Sequence, residues 1–108
     1  MTIRRLDRAD WGRYFDNISR ALGTKDVTIE VAPLGIGPQM EAKTLALRGL
    51  VYDRKSDVFE IQTASLDHMI SQPTEIWVDE SADEITSVEV VDKEGTKQIV
   101  ILSEPLQI

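Results

Sequence analysis

From Val27 to the end of the chain, apolar side chains occupy both sets of alternating positions, and this limits the folds open to it. "VTIEVA" sets Val27, Ile29 and Val31 on one face, and "KTLALRGLVY" does the same with Leu45, Leu47 and Val51. "VFEIQT" adds Phe59 and Ile61, and "EIWVDE" adds Ile76 and Val78. The opposite positions carry Leu50, Tyr52, Val58, Trp77 and Val91, and in "TKQIVIL" Ile99 and Ile101 oppose Val100 and Leu102. Strands that are apolar on both sides are covered on both sides.

One segment is built to supply cover. In "LDRADWGRYFDNISRALG", Trp11, Tyr14, Phe15, Ile18 and Leu22 recur at three- and four-residue steps, which predicts a helix over 8–22. Asp7 suits the N-cap, Asp10 suits the first turn, and Leu6 and Trp11 stand where a hydrophobic staple has its two halves. Gly23 supplies a C-terminal stop. Gly12 costs about 1 kcal/mol relative to Ala, but burying Trp11, Phe15, Ile18 and Leu22 contributes on the order of 6–12 kcal/mol. A helix of this length, about 22 Å, covers one face of a sheet and no more.

The other segments read as strands and turns. "PLGIGPQ" is a connection, in which Leu34 and Ile36 are unexpectedly apolar and either tuck under the sheet or offer a contact point. Gly49 lies inside a strand, where a bulge or a close backbone approach is usual. In "DRKSD", Asp53 and Asp57 suit a hairpin tip better than a metal site, because one short loop has too few oxygen ligands. "SLDHMIS" reads as a short helical turn capped by Ser65 and kept short by Pro73. Gly95 falls where a type I turn followed by a bulge needs a left-handed residue. The expected fold is α+β, a single domain over 1–108. It has an N-terminal helix, then about six mostly antiparallel strands in a strongly curled or partly barrel-like sheet. The surplus apolar face is closed by that curling or by a second subunit, with Trp77, Tyr52, Leu50, Val91, Leu34 and Ile36 as the expected interaction surface.

Composition narrows the function classes. The 108 residues include no cysteine, which rules out disulfides and thiolate metal sites. "MTIRRLDRAD" lacks the apolar core of a signal peptide and no stretch is long enough to span a bilayer, so a cytoplasmic protein without a membrane partner is expected. The net charge of −7 is uneven: residues 1–25 hold six Lys/Arg and three Asp, and the remainder holds the other six bases and sixteen acids. An acidic body repels phosphate backbones and disfavours nucleic acid. Arg4, Arg5, Arg8 and Arg13 therefore dock on the chain's own acidic sheet or face solvent, or, in a weaker reading, contact an anion or nucleic acid.

"RADWGRYFDNISRAL" (8–22), "LRGLVYDRKSDVFEI" (47–61), "LDHMISQPTEIWVDE" (66–80) and "SVEVVDKEGTKQIVILSEPL" (87–106) give the chain a resemblance to a bacterial family of unknown function, domain of unknown function 5335. The resemblance covers nearly the whole chain, departs most around "LGIGPQM" (34–40), and implies a small stand-alone bacterial protein. It carries no activity, cofactor or catalytic residue to this sequence.

Catalytic signatures are sparse. His68 is the single histidine, and Asp67 precedes it, but adjacent residues do not face one another on a helical turn. "DESADE" (79–84) lacks the glycine and ligand spacing of a calcium loop, and "PLGIGPQ" lacks the Lys-Ser/Thr pair of a phosphate loop. No cofactor is assigned. The leading expectation is a non-catalytic domain that binds itself or another protein. The competing one is a small metal-dependent or His-based hydrolase using His68 with Asp67, Asp53 and Glu75.

Overall fold

The computed structural model describes residues 2–22, 25–33, 35, 37, 39–65 and 67–107. A short strand β1 (Thr2–Arg5) leads through a 3-10 turn (Arg8–Asp10) into the helix α1 (Trp11–Ala21). Seven strands follow: β2 (Lys25–Ala32), β3 (Gln39–Asp53), β4 (Val58–Thr63), β5 (Asp67–Ser71), β6 (Pro73–Ser81), β7 (Glu84–Asp92) and β8 (Lys97–Gln107). All eight strands join one antiparallel sheet in the order β1-β6-β7-β8-β2-β3-β4-β5. The ladder leaves β1 and β5 as edges, so it does not close into a barrel.

The sheet is nonetheless far from flat. Laid flat beneath one helix, it would be roughly 20 Å thick, whereas the Cα trace measures 33 × 30 × 29 Å. Four strand positions separate β8 from β5, a span of about 19 Å in a flat sheet, yet His68 of β5 hydrogen-bonds Gln98 of β8 across the concave side. Register shifts mark where the strands bend: between Leu47 and Gly49, between Asp79 and Glu80, and between Ile85 and Ser87. Pro105 sits where β8 skips residues against β7, a place that tolerates its missing N–H.

The concave side holds a single core. Leu6, Trp11, Phe15, Ile18 and Leu22 come from the N-terminal segment, and Val27, Ile29, Leu47, Leu50, Phe59, Ile61, Ile70, Ile76, Val78, Ile85, Val88, Val90, Val100, Leu102 and Leu106 come from the sheet. Phe15 meets Phe59 edge to face at 5.0 Å, and Trp11 meets Tyr52 likewise at 5.1 Å. Leu6 and Trp11 are both buried, and Trp11 Nε1 donates to the Leu6 carbonyl at 3.3 Å, but the helix is capped by Asp10 and not Asp7, so the pair brackets the 3-10 turn instead of stapling the helix start.

Several expectations need correction. Among the described residues there are eight strands where about six are expected, and the helix proper begins at Trp11 after a 3-10 turn. Residues 67–71 form a strand in place of the helical turn: five residues cannot nucleate a helix alone, while Phe59↔Ile70 and Ile61↔His68 pairing buries Ile70. Val51 and Leu50 exchange roles. The bulge at Arg48–Gly49 shifts the alternation by one, which sends Leu50 inward at 1% exposure and leaves Val51 half-buried on the outside. Gly95 has φ +83° and closes its turn through its N–H to the Asp92 carbonyl, as the sequence implies. Gly23, Leu34 and Ile36 lie outside the described residues.

Beyond the bulge, β3 also loses a neighbour, since its pairing with β2 ends at Lys25↔Leu47. The helix takes that place: Ser19 Oγ accepts the Leu50 N–H at 3.0 Å and donates to the Leu50 carbonyl at 2.8 Å. One hydroxyl thus satisfies both backbone groups of a buried residue. Ser19→Ala is therefore expected to lower unfolding free energy by about 1–3 kcal/mol in urea titrations. A loss below about 0.5 kcal/mol would mean that the pair is dispensable.

Candidate functional site

The N-terminal segment lies across the sheet through its arginines. Arg4 Nε donates to Glu80 Oε1 at 2.8 Å, and the Tyr14 hydroxyl donates to Glu80 Oε2 at 3.1 Å, so a single carboxylate of β6 ties down both β1 and α1. Arg4 holds the Glu80 carboxyl below its ordinary pKa, opposed by burial and aided by Tyr14. Burial, then the Glu80 charge, pushes the Tyr14 phenol well above its ordinary value. Arg5 lies 3.9 Å from Glu75, a loose and exposed pair.

Arg8 has the densest set of contacts. Its Nη1 donates to the Pro73 carbonyl at 3.0 Å, and its Nη2 donates to Tyr52 Oη at 3.2 Å and to Asp57 Oδ1 at 2.8 Å. Tyr52 Oη donates to the same Asp57 oxygen at 2.7 Å. The guanidinium sits over the Trp11 ring, 4.7 Å from its centroid. Burial first, then the Asp57 hydrogen bond, raises the Tyr52 pKa. Asp53 does what a hairpin-tip aspartate does, accepting the Lys55 N–H at 2.9 Å. Asp57, at φ +55°, both turns the chain and anchors Arg8.

Beside this network, between the start of α1 and the β3–β4 hairpin, opens a cleft of about 500 Å³ lined by Arg8, Ala9, Gly12, Arg13, Tyr52 and Arg54. Arg8 and Arg13 were candidates from sequence. Arg54 and Gly12 were not, because no local pattern announces that a hairpin tip meets a helix start more than forty residues earlier.

The convex side of the β1-β6-β7-β8 strip is the second surface. Ile3 is 67% exposed and Ile101 36% exposed. Trp77, Val91 and Ile99 lie between them, half-buried, along two shallow grooves of about 130 and 370 Å³. Trp77 and Val91 thus occupy the side opposite the core, and Trp77 Nε1 donates to Glu75 Oε1 at 3.1 Å. Leu50 and Tyr52 do not share that surface. The Gly49 bulge turns both toward the helix side, Leu50 into the core and Tyr52 against Trp11.

His68 and Asp67 are neighbours on β5 and therefore face opposite sides, His68 inward to Gln98 and Asp67 out to solvent. Asp53 is committed to its turn and Glu75 to Trp77, so the structure does not gather these acids around the imidazole. Among the described residues, no group of three or more His, Asp or Glu is placed to hold a metal ion. No described helix is long and apolar enough to cross a membrane.

An all-antiparallel, single-sheet protein with one helix and an arginine-lined cleft defines a class of architecture. The sequence places it in a family within that class. Residues 2–108 match the family model described as "Family of unknown function (DUF5335)", and the chain belongs to that family. It is also 46% identical over 101 residues to an "Uncharacterized protein" of Aquifex aeolicus (strain VF5), covering 93% of this chain and 91% of that one. No solved structure matches it.

The Glu80 clasp has a pH signature. A carboxyl whose folded pKa is depressed stabilises the fold above its unfolded value, and that contribution fades as pH falls through the folded value. Wild-type stability should therefore decline below about pH 4.5, the ordinary value. Glu80→Gln should flatten that decline and cost on the order of 1 kcal/mol at neutral pH. Parallel pH–stability curves for the two proteins would show that Glu80 is not the group responsible.

Proposed function

We propose that this protein is a non-catalytic, cytoplasmic binding domain that associates with a second copy of itself through the convex side of the β1-β6-β7-β8 strip. The observation that carries this reading is the apolar strip itself, with Ile3 and Ile101 exposed and Trp77, Val91 and Ile99 half-buried between them. Asp79 Oδ1 is shielded from water and has no hydrogen-bond donor. Buried polar atoms in native proteins nearly always have one, and a carboxylate oxygen most of all.

Asp79 lies in the groove with Ile3, Trp77 and Ile99, an apolar surround that a partner would cover. Lys97 stands on the same face, exposed and without an ion pair among the described residues. In a two-fold contact the same patch meets itself, so Lys97 of one copy can meet Glu89 of the other. Arg5 and Lys97 against Glu30, Glu75, Asp79 and Glu89 give the face both signs of charge, which suits self-pairing better than a polynucleotide.

Light scattering over a dilution series should show a concentration-dependent dimer, and Trp77→Glu should abolish it with an unchanged circular dichroism spectrum. Glu89→Lys and Lys97→Glu should each weaken association, and combining them should restore it. A wild-type protein that stays monomeric up to millimolar concentration contradicts the proposal, as does a charge swap with no rescue in folded variants.

A further inference from the structure

We propose that the cleft between the start of α1 and the β3–β4 hairpin binds a small phosphate-bearing molecule through Arg8, Arg13 and Arg54. The charge placement is the first reason. The chain carries a net −7, yet three arginines and no acid line this cleft. Asp57 and Asp10 pair with Arg8 and Arg13 from the rim, so among the described residues Arg54 is the uncompensated cation that attracts an anion there.

The state of each arginine is the second. Arg8 is fixed by Asp57, Tyr52 and the Pro73 carbonyl and by its stack on Trp11, so it offers a preorganised cation. Arg13 is held only by Asp10, at 3.0 Å in an exposed pair three residues apart, which a stronger anion displaces at little cost. Arg54 has no hydrogen bond or ion pair among the described residues, and its hairpin tip brings it to the cleft. Several guanidiniums around one point recognise a tetrahedral dianion better than a monovalent carboxylate, because each can present paired N–H groups to separate oxygens.

Gly12 is the third and independent reason. It lies inside α1, where glycine weakens a helix relative to alanine. Nothing in the protein asks for it: its backbone is helical, and a Cβ built there meets no atom within 4 Å. It does line the cleft. A missing side chain on a cleft wall, where the fold gains nothing from it, lets a ligand approach the backbone closely.

Volume and walls define the rest of the ligand. About 500 Å³ is a typical small-molecule site and far exceeds one phosphate group. Tyr52 lines the cleft and gives it an aromatic wall for a ring on the same molecule. The ligand class is thus a phosphate monoester with a planar or cyclic body. This site lies on the helix side of the fold, away from the convex face, and does not depend on self-association.

Isothermal titration of the full chain at low ionic strength tests the site, with inorganic phosphate, phenyl phosphate and benzoate as probes. Phenyl phosphate should bind saturably and more tightly than inorganic phosphate, with benzoate weakest. Equal affinity for the two phosphates would assign the site to the free ion and overturn the monoester. Because Arg8 also supports the fold, Arg54→Gln and Gly12→Ala are the informative variants. Arg54→Gln should weaken binding about tenfold or more with the melting temperature unchanged. Gly12→Ala should weaken binding while raising the melting temperature by a few degrees, an opposition that a purely structural role for Gly12 does not produce. Trp77→Glu should leave binding intact, which separates this proposal from the dimer. Absence of saturable phosphate binding, or binding indifferent to both variants, overturns it.

Discussion

One eleven-residue helix has to seal the inside of an eight-stranded sheet. That constraint explains most of the architecture. A flat sheet of this width would leave much of its apolar side in water, so the strands bend at bulges until β5 faces β8 and a single core fills the hollow. The weak point is the stretch of β3 past Leu47, where β2 no longer pairs with it. There the helix serves as a neighbour, with Phe15 and Ile18 supplying burial and the Ser19 hydroxyl supplying the missing hydrogen bonds. Packing and backbone satisfaction are solved by the same element.

The uneven charge of the sequence follows from the same geometry. The N-terminal segment crosses an acidic sheet, and its arginines meet acids that arrive from far along the chain: Arg4 meets Glu80, Arg5 meets Glu75 and Arg8 meets Asp57. Individually such exposed pairs contribute little. Arg8 differs because a cation stacked on Trp11, bonded to a tyrosine, a carboxylate and a main-chain carbonyl, joins the 3-10 turn, the β3–β4 hairpin and the start of β6 in one network. The same network leaves Arg54 unpaired and Arg13 loosely held beside it.

The helix and the inward rows of β2, β4 and β6 were legible because their periods are unbroken: Trp11, Phe15, Ile18 and Leu22, then Val27 with Ile29, Phe59 with Ile61, and Ile76 with Val78 all lie in the core. Leu50 and Tyr52 were misplaced for a definable reason. Gly49 signalled a bulge, but alternation carried through a bulge gives the wrong face for every later residue of the strand. β5 was hidden because a five-residue element has too little local preference to reveal itself, and its identity comes from pairing with β4. The arginine cleft was half visible. Basic residues near the N-terminus are plain in the sequence, whereas their meeting with Tyr52 and Arg54 exists only once the sheet has curled.

Curling resolves one side of the sheet and leaves the other with Ile3, Trp77, Val91, Ile99 and Ile101 facing outward around a buried, unpaired Asp79 oxygen. In the dimer we propose, this convex strip becomes an interior when two copies meet. Methyl-resolved NMR with a soluble paramagnetic probe measures it most directly. At high protein concentration the methyl groups of Ile3, Ile99 and Ile101 should be shielded from the probe, and on dilution they should become accessible while those of Ile18, Ile61 and Ile76 stay dark throughout. Outer methyl groups that remain fully open to the probe at every concentration would contradict the account.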